Sequence, residues 1–171
     1  GKGLGVVWGD YDNDRDLDLF VANDLMQDFL FRNEGNGSFT EISMLIGVAF
    51  NEDGLPLNGM GTNFGDYNND GNLDLIVTNF QDQTNLLFHN EGDGFFTDIT
   101  RPSKTGHASF PYLGWAAFFF DYDNDGYQDL YVANGHLHDN LTQLGQEGTY
   151  VQPDLLFQNS VDASLTEVAQ T

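Results

Sequence analysis

Nine residues, Asp10-Tyr11-Asp12-Asn13-Asp14-Arg15-Asp16-Leu17-Asp18, set five carboxylates at alternate positions of one short stretch. The pattern returns as Asp66-Tyr67-Asn68-Asn69-Asp70-Gly71-Asn72-Leu73-Asp74 and as Asp121-Tyr122-Asp123-Asn124-Asp125-Gly126-Tyr127-Gln128-Asp129. Ca²⁺ is a hard cation that takes six to eight oxygens. A tight loop with acids at positions 1, 3 and 5 turns alternate side chains toward one centre. A backbone carbonyl at position 7 (Asp16, Asn72, Tyr127) and an Asp at position 9 can close the shell. The side-chain ligands expected are Asp10, Asp12, Asp14 and Asp18; Asp66, Asn68, Asp70 and Asp74; and Asp121, Asp123, Asp125 and Asp129, for about three Ca²⁺ per chain.

Carboxylates about 5 Å apart repel by roughly 3 kcal/mol per pair at an effective dielectric near 20. A fold that gathers them three times needs a cation. The competing account is that Asp, Asn and Gly simply favour turns, and three copies in register weigh against it. An EF-hand requires a bidentate Glu at position 12, where this chain has Val21, Val77 and Val132, and a strand-like run follows each loop rather than a helix.

The elements around the loops repeat with them. The leading aspartates Asp10, Asp66 and Asp121 lie 56 and 55 residues apart. Downstream, Phe29-Leu30-Phe31-Arg32-Asn33 matches Leu86-Leu87-Phe88-His89-Asn90 and Leu155-Leu156-Phe157-Gln158-Asn159. Each unit offers four short apolar runs separated by turn residues, which reads as a four-stranded antiparallel meander. Asn36-Gly37 and Asp93-Gly94 sit where its last hairpin must turn. Leu17-Asp18-Leu19-Phe20-Val21 and Leu73-Asp74-Leu75-Ile76-Val77 are apolar at adjacent positions, so both sheet faces need covering. The expected fold is all-β: a β-propeller segment of three four-stranded antiparallel blades spanning residues 1–171 as one domain, with units at about 3–43, 59–100 and 113–168. A β-sandwich is the rival, and its strands rarely repeat at this period. Segments 44–58, 101–112 and 136–153 read as loops, one with a short helical turn. Trp8 and Trp115 read as equivalent strand positions in the core.

Net charge is −22, from 27 acids against 5 bases, which repels nucleic acid and anionic membranes. A 40% hydrophobic content argues against a disordered acidic tail. Cysteine is absent, which excludes disulfides and thiolate metal sites. No apolar run is long enough to span a bilayer. His136, His138 and Asp139 suit a transition metal, but following a strand they read as loop residues. Asn36-Gly37-Ser38 and Asn140-Leu141-Thr142 match the glycosylation acceptor. No nucleophile–base pair or phosphate loop is evident, so the chain reads as a non-enzyme.

The motif D-Y-D/N-N-D-x-x-x-D-L-x-V-x-N, preceded by an aromatic residue, resembles the FG-GAP/VCBS repeats that form calcium-binding propellers. Gly3-Leu4-Gly5, Gly59-Met60-Gly61, Tyr112-Leu113-Gly114-Trp115 and Val132-Ala133-Asn134-Gly135-His136 look like the ASPIC/UnbV group. The resemblance implies an extracellular or cell-surface scaffold for adhesion, matrix or filament assembly, or ligand binding. It implies a protein or glycan partner, or self-association through open blade faces. A propeller portion of a secreted carbohydrate-active protein is the alternative. Such propellers have about seven blades, so three imply an excerpt of a longer protein.

Overall fold

A computed structural model describes residues 1–145 and 147–169. Among these residues twelve strands form three separate four-stranded sheets, each a sequential antiparallel meander. Blade 1 contains β1 (Gly3–Gly9), β2 (Asp18–Asn23), β3 (Phe29–Asn33) and β4 (Phe39–Glu41). Blade 2 contains β5 (Gly59–Gly65), β6 (Asp74–Asn79), β7 (Leu86–Asn90) and β8 (Phe96–Asp98). Blade 3 contains β9 (Gly114–Phe120), β10 (Asp129–Asn134), β11 (Leu155–Asn159) and β12 (Leu165–Glu167). The molecule is an all-β propeller segment, and its blades stack side by side with β1, β5 and β9 adjacent.

The adjacent apolar residues serve opposite faces, as strand alternation requires. Phe20 and Leu30 point from blade 1 into a core shared with Leu75, Val77, Phe88 and Phe96 of blade 2. Ile76 and Leu87 leave the other face of blade 2 and pack with Leu130, Val132 and Phe157 of blade 3. Each fully buried Leu, Ile or Phe contributes about 1.5–3 kcal/mol, so these layers hold the blades in register. The third hairpin of the blade, β3–β4 or β7–β8, turns on left-handed glycines, Gly37 (φ 86°) in blade 1 and Gly94 (φ 87°) in blade 2.

Two expectations need correction. All three loop segments carry a short helical stretch, not one of them alone: α1 (Ser43–Ile46) and α2 (Thr105–Ser109) between blades, and a 3₁₀ turn at Leu141–Leu144 within blade 3, between β10 and β11. Trp8 and Trp115 are not equivalent. Trp8 pairs with Leu19 one step before Gly9–Asp18, the place Phe119 holds before Phe120–Asp129. Both indoles are surface groups, 53% and 44% exposed, and the Trp115 Nε1–H donates to the Gly135 carbonyl.

At the opposite end from the Asp-rich loops, the β2–β3 turn is tied by Asp28, whose Oδ1 accepts the Asn23 N–H at 2.7 Å. Asn85 does the same for Asn79 in blade 2, and Asp154 for Asn134 in blade 3. Asp28 is buried, and burial pushes its pKa up to about 7. The unfolded chain loses this proton near the ordinary carboxylate pKa of about 3.9, and the folded chain holds it until about 7. The unfolded state therefore binds fewer protons in that window, and this group's contribution to stability is lost as pH rises from about 4 to 7. Asp28→Asn, which copies Asn85, is expected to remove that component, on the order of 3 kcal/mol. Urea midpoints of both proteins in calcium-free buffer between pH 4.5 and 8 check it. A difference between them that does not vary with pH would contradict the assignment.

Candidate metal centre

Each Asp-rich segment is the β1–β2 type loop of its blade, and all three stand at one end of the stack. The backbone folds tightly because two residues per loop adopt left-handed conformations. Position 4 is Asn13 (φ 60°), Asn69 (φ 59°) or Asn124 (φ 62°), a residue type that tolerates this region. Position 6 is Gly71 (φ 88°) or Gly126 (φ 91°) in loops 2 and 3, but Arg15 (φ 80°) in loop 1. The arginine bears a Cβ penalty of roughly 1–2 kcal/mol that glycine avoids.

The acids are braced by backbone N–H groups within the loop. Position 1 accepts from position 6: Arg15 N–H to Asp10, Gly71 N–H to Asp66 and Gly126 N–H to Asp121, each 2.9 Å. Position 5 accepts from position 7 at 2.8–2.9 Å, which leaves the position 7 carbonyls of Asp16, Asn72 and Tyr127 outside that bond. Position 9 opens the second strand and is fully buried in every blade, as Asp18, Asp74 and Asp129. One oxygen of each accepts the N–H of Tyr11, Tyr67 or Tyr122, and the other accepts that of Asn33, Asn90 or Asn159 on the third strand.

Carboxylate oxygens of Asp10, Asp12 and Asp18 lie within 4.8 Å of one another, as do those of Asp121, Asp123 and Asp129. Asp14 and Asp125 stand beside these trios as exposed acids. Loop 2 differs: Asn68 replaces the second acid, and its Nδ2 donates to Asp70 at 2.9 Å. The Asp10 Oδ1 is buried with no hydrogen-bond partner. Burial pushes Asp18 up to about 6, against two backbone N–H bonds that lower it. Burial likewise pushes Asp74 up to about 6, against the Asn90 N–H and His89. Asp12 is raised by burial and by the neighbouring Asp14 charge. Desolvated, crowded acids with an unpaired buried oxygen fit a hard divalent cation, which would supply two positive charges at their centre.

Two sets of residues at this end were not visible as site residues in the sequence. Arg32, His89 and Gln158 hold one third-strand position beside the loops. His89 Nδ1 lies 2.9 Å from Asp74 Oδ1, and Gln158 Nε2 donates to Asp123 at 2.7 Å. Arg32 pairs with Glu34. The only signal for them was the variable fourth letter of FLFRN, LLFHN and LLFQN. The second set is the asparagines Asn33, Asn90 and Asn159, whose backbones hold the buried acid. By contrast, His136 and His138 form no cluster with Asp139: His136 Nδ1 accepts the His138 N–H.

A family model for the FG-GAP-like repeat matches residues 10–77 and again 66–132, so each match begins at the first aspartate of a loop. The chain is similar to cartilage acidic protein 1 of Xenopus tropicalis, 29% identical over 134 residues, covering 77% of this chain and 20% of the relative. The Mus musculus protein of that name is also 29% identical, with the same coverage. The Homo sapiens protein is 28% identical over 134 residues, 77% of this chain and 19% of the relative. The chain thus spans about a fifth of the length of these curated relatives. No helix among the described residues is long and apolar enough to cross a membrane.

Proposed function

The chain belongs to the FG-GAP-like repeat family, and from that premise we propose that it is a non-catalytic, calcium-binding scaffold of the extracellular space or cell surface. It holds one Ca²⁺ in each of three loops and presents its blades to a protein or glycan partner. The observation that carries this reading is the pair of carboxylate trios, each built on a fully buried Asp that hydrogen bonds fix in place.

In this reading Asp10, Asp12, Asp14 and Asp18 hold the first ion with the Asp16 carbonyl. Asp66, Asn68, Asp70 and Asp74 hold the second with Asn72. Asp121, Asp123, Asp125 and Asp129 hold the third with Tyr127. The ion neutralises the acids and locks the loop to the strand it precedes. Backbone N–H groups already bond to every one of these acids, which suits fixed ligands and not mobile proton donors. The millimolar calcium of extracellular fluids matches the affinity of about 10⁻⁴ to 10⁻³ M usual for extracellular modules. The relatives' name speaks of cartilage and of acidity, and a net charge of −22 gives this chain the second property.

The three sites are expected to differ. Loop 1 carries the Arg15 strain; loop 2 has one charge fewer, and His89 engages Asp74. Loop 3 combines Gly126 with four aspartates, and among the described residues only Asp123 is engaged by a side-chain donor. It is expected to bind most tightly. Calcium titrations of Asp10→Ala, Asp66→Ala and Asp121→Ala test both points. Each variant should bind one ion fewer, and Asp121→Ala should lose the tightest phase. If Asp121→Ala keeps that phase, loop charge and turn geometry do not set the ranking. If the parent chain takes up no calcium at millimolar concentration, the functional reading falls.

A further inference from the structure

The two interfaces between blades are built alike. On the inner strands, Phe64 of blade 2 lies over Gly9 of blade 1, and Phe119 of blade 3 lies over Gly65 of blade 2. A Cβ on either glycine would come within 2.5–2.6 Å of the ring. Four residues earlier, Gly5 and Gly61 lie so close to the Met60 and Trp115 carbonyls that a Cβ would overlap them. Each forward-facing inner strand thus offers two glycine seats. Polar latches accompany them. Asn90 Nδ2 donates to the Tyr11 carbonyl and Asn159 Nδ2 to the Tyr67 carbonyl, each across a blade boundary. Asn13 and Asn69 reach forward from one loop to Asn72 or Gly126 of the next.

The outward face of blade 1 carries the same features with no other blade against them among the described residues. Trp8 stands at the position of Phe64 and Phe119, and Leu4 and Val6 line the strand beside it, each 60% exposed. Phe39 meets Trp8 edge-on at 6.1 Å, and it stands where Phe96 and Leu165 are buried in the interfaces. Among the described residues the Asn33 Nδ2 donates only to its own blade's Leu17 carbonyl, with no contact across a blade boundary. The outward face of blade 3 is not the matching half. At the two seat positions it has Ala116 and Phe120, and Phe120 is 42% exposed.

We propose that the outward face of blade 1 is a docking site for a further four-stranded blade with glycine at both inner-strand seats, and that it rejects blade 3 of a second copy. The discrimination is steric. At the two observed interfaces even a methyl group at the second seat overlaps an aromatic ring, and Phe120 would set a whole benzyl group against the larger Trp8. The incoming blade must also offer Asn33 a carbonyl at the place of Tyr11 or Tyr67. This inference names the partner of the proposed scaffold but rests on blade stacking alone, not on calcium.

The test gives the chain the seats it lacks. Ala116→Gly with Phe120→Gly is made in the full chain, and mass is followed against concentration by sedimentation in one saturating calcium buffer, beside the parent. The double variant is expected to self-associate head to tail at least tenfold more tightly than the parent. Adding Trp8→Ala should return it to the parental level. Equal association of parent and variant overturns the proposal, as does association of the variant that ignores Trp8→Ala. Should the double variant fail to fold, Phe120→Gly alone, which removes the larger of the two obstructions, is expected to raise association at least threefold, and no rise overturns the proposal. Failure of calcium binding would be seen separately, in the titrations of the three loops.

Discussion

Asp129→Ala is expected to cost about 2–6 kcal/mol in calcium-free buffer, whereas Asp125→Ala in the same buffer should cost less than about 1 kcal/mol. The two acids belong to one candidate site but do different structural work. Asp129 is fully buried, and its two oxygens accept the N–H groups of Tyr122 and Asn159 at 2.8 Å each. Alanine leaves both donors without a partner beside the core, at about 1–3 kcal/mol apiece. Asparagine does not restore them, because it has one acceptor oxygen and would turn an NH₂ group toward the second donor. Asp125 is exposed and accepts one N–H, from Tyr127, which water can replace. In calcium both variants should forfeit the stabilisation from the third ion, so their difference persists while both fall. Denaturant midpoints with chelator and with calcium give all four numbers. Equal losses in chelator would mean that the buried acid acts only as a ligand and does not anchor the loop to the second and third strands.

The blades were legible in the sequence because the physics that forms them is local and repeated. Adjacent apolar residues such as Leu75, Ile76 and Val77 demand cover on both faces, and the structure sends Ile76 one way and its neighbours the other. The loops were legible for a similar reason: acids at alternate positions with Asn and Gly between them prescribe both the turn and the chemistry. Register was not legible. Matching the two tryptophans by residue type put Trp8 and Trp115 together, whereas pairing against the second strand aligns Trp8 with Phe119, four residues further along β9 than Trp115. The latches were also hidden. Asn13 and Asn69 read as turn residues, and nothing in their type says that the side chain crosses to the next blade. Arg32, His89 and Gln158 share a position but no chemistry, so no pattern marks them. The glycine seats were hidden too, because Gly9 and Gly65 look like ordinary punctuation before a loop until the neighbouring ring is seen above them.

A thermal melt with and without calcium tests the proposal that three cations complete this fold. An ion that binds only the folded chain adds RT ln(1 + [Ca²⁺]/Kd) per site. At about 10 mM calcium and Kd values of about 10⁻⁴ to 10⁻³ M, each site adds roughly 1.4–2.7 kcal/mol, and three add roughly 4–8 kcal/mol. For a chain of this size each kcal/mol moves the midpoint by about 2–4 °C, so the expected rise is about 10–30 °C. Magnesium at the same concentration should give much less, because it needs a smaller, near-octahedral shell. The acids that drive the effect are Asp18, Asp74 and Asp129, fully buried, and Asp10, one of whose oxygens has no hydrogen-bond partner among the described residues. A midpoint that rises by this amount in calcium and falls back in excess EDTA is the predicted result; a midpoint that is the same in both would contradict the account.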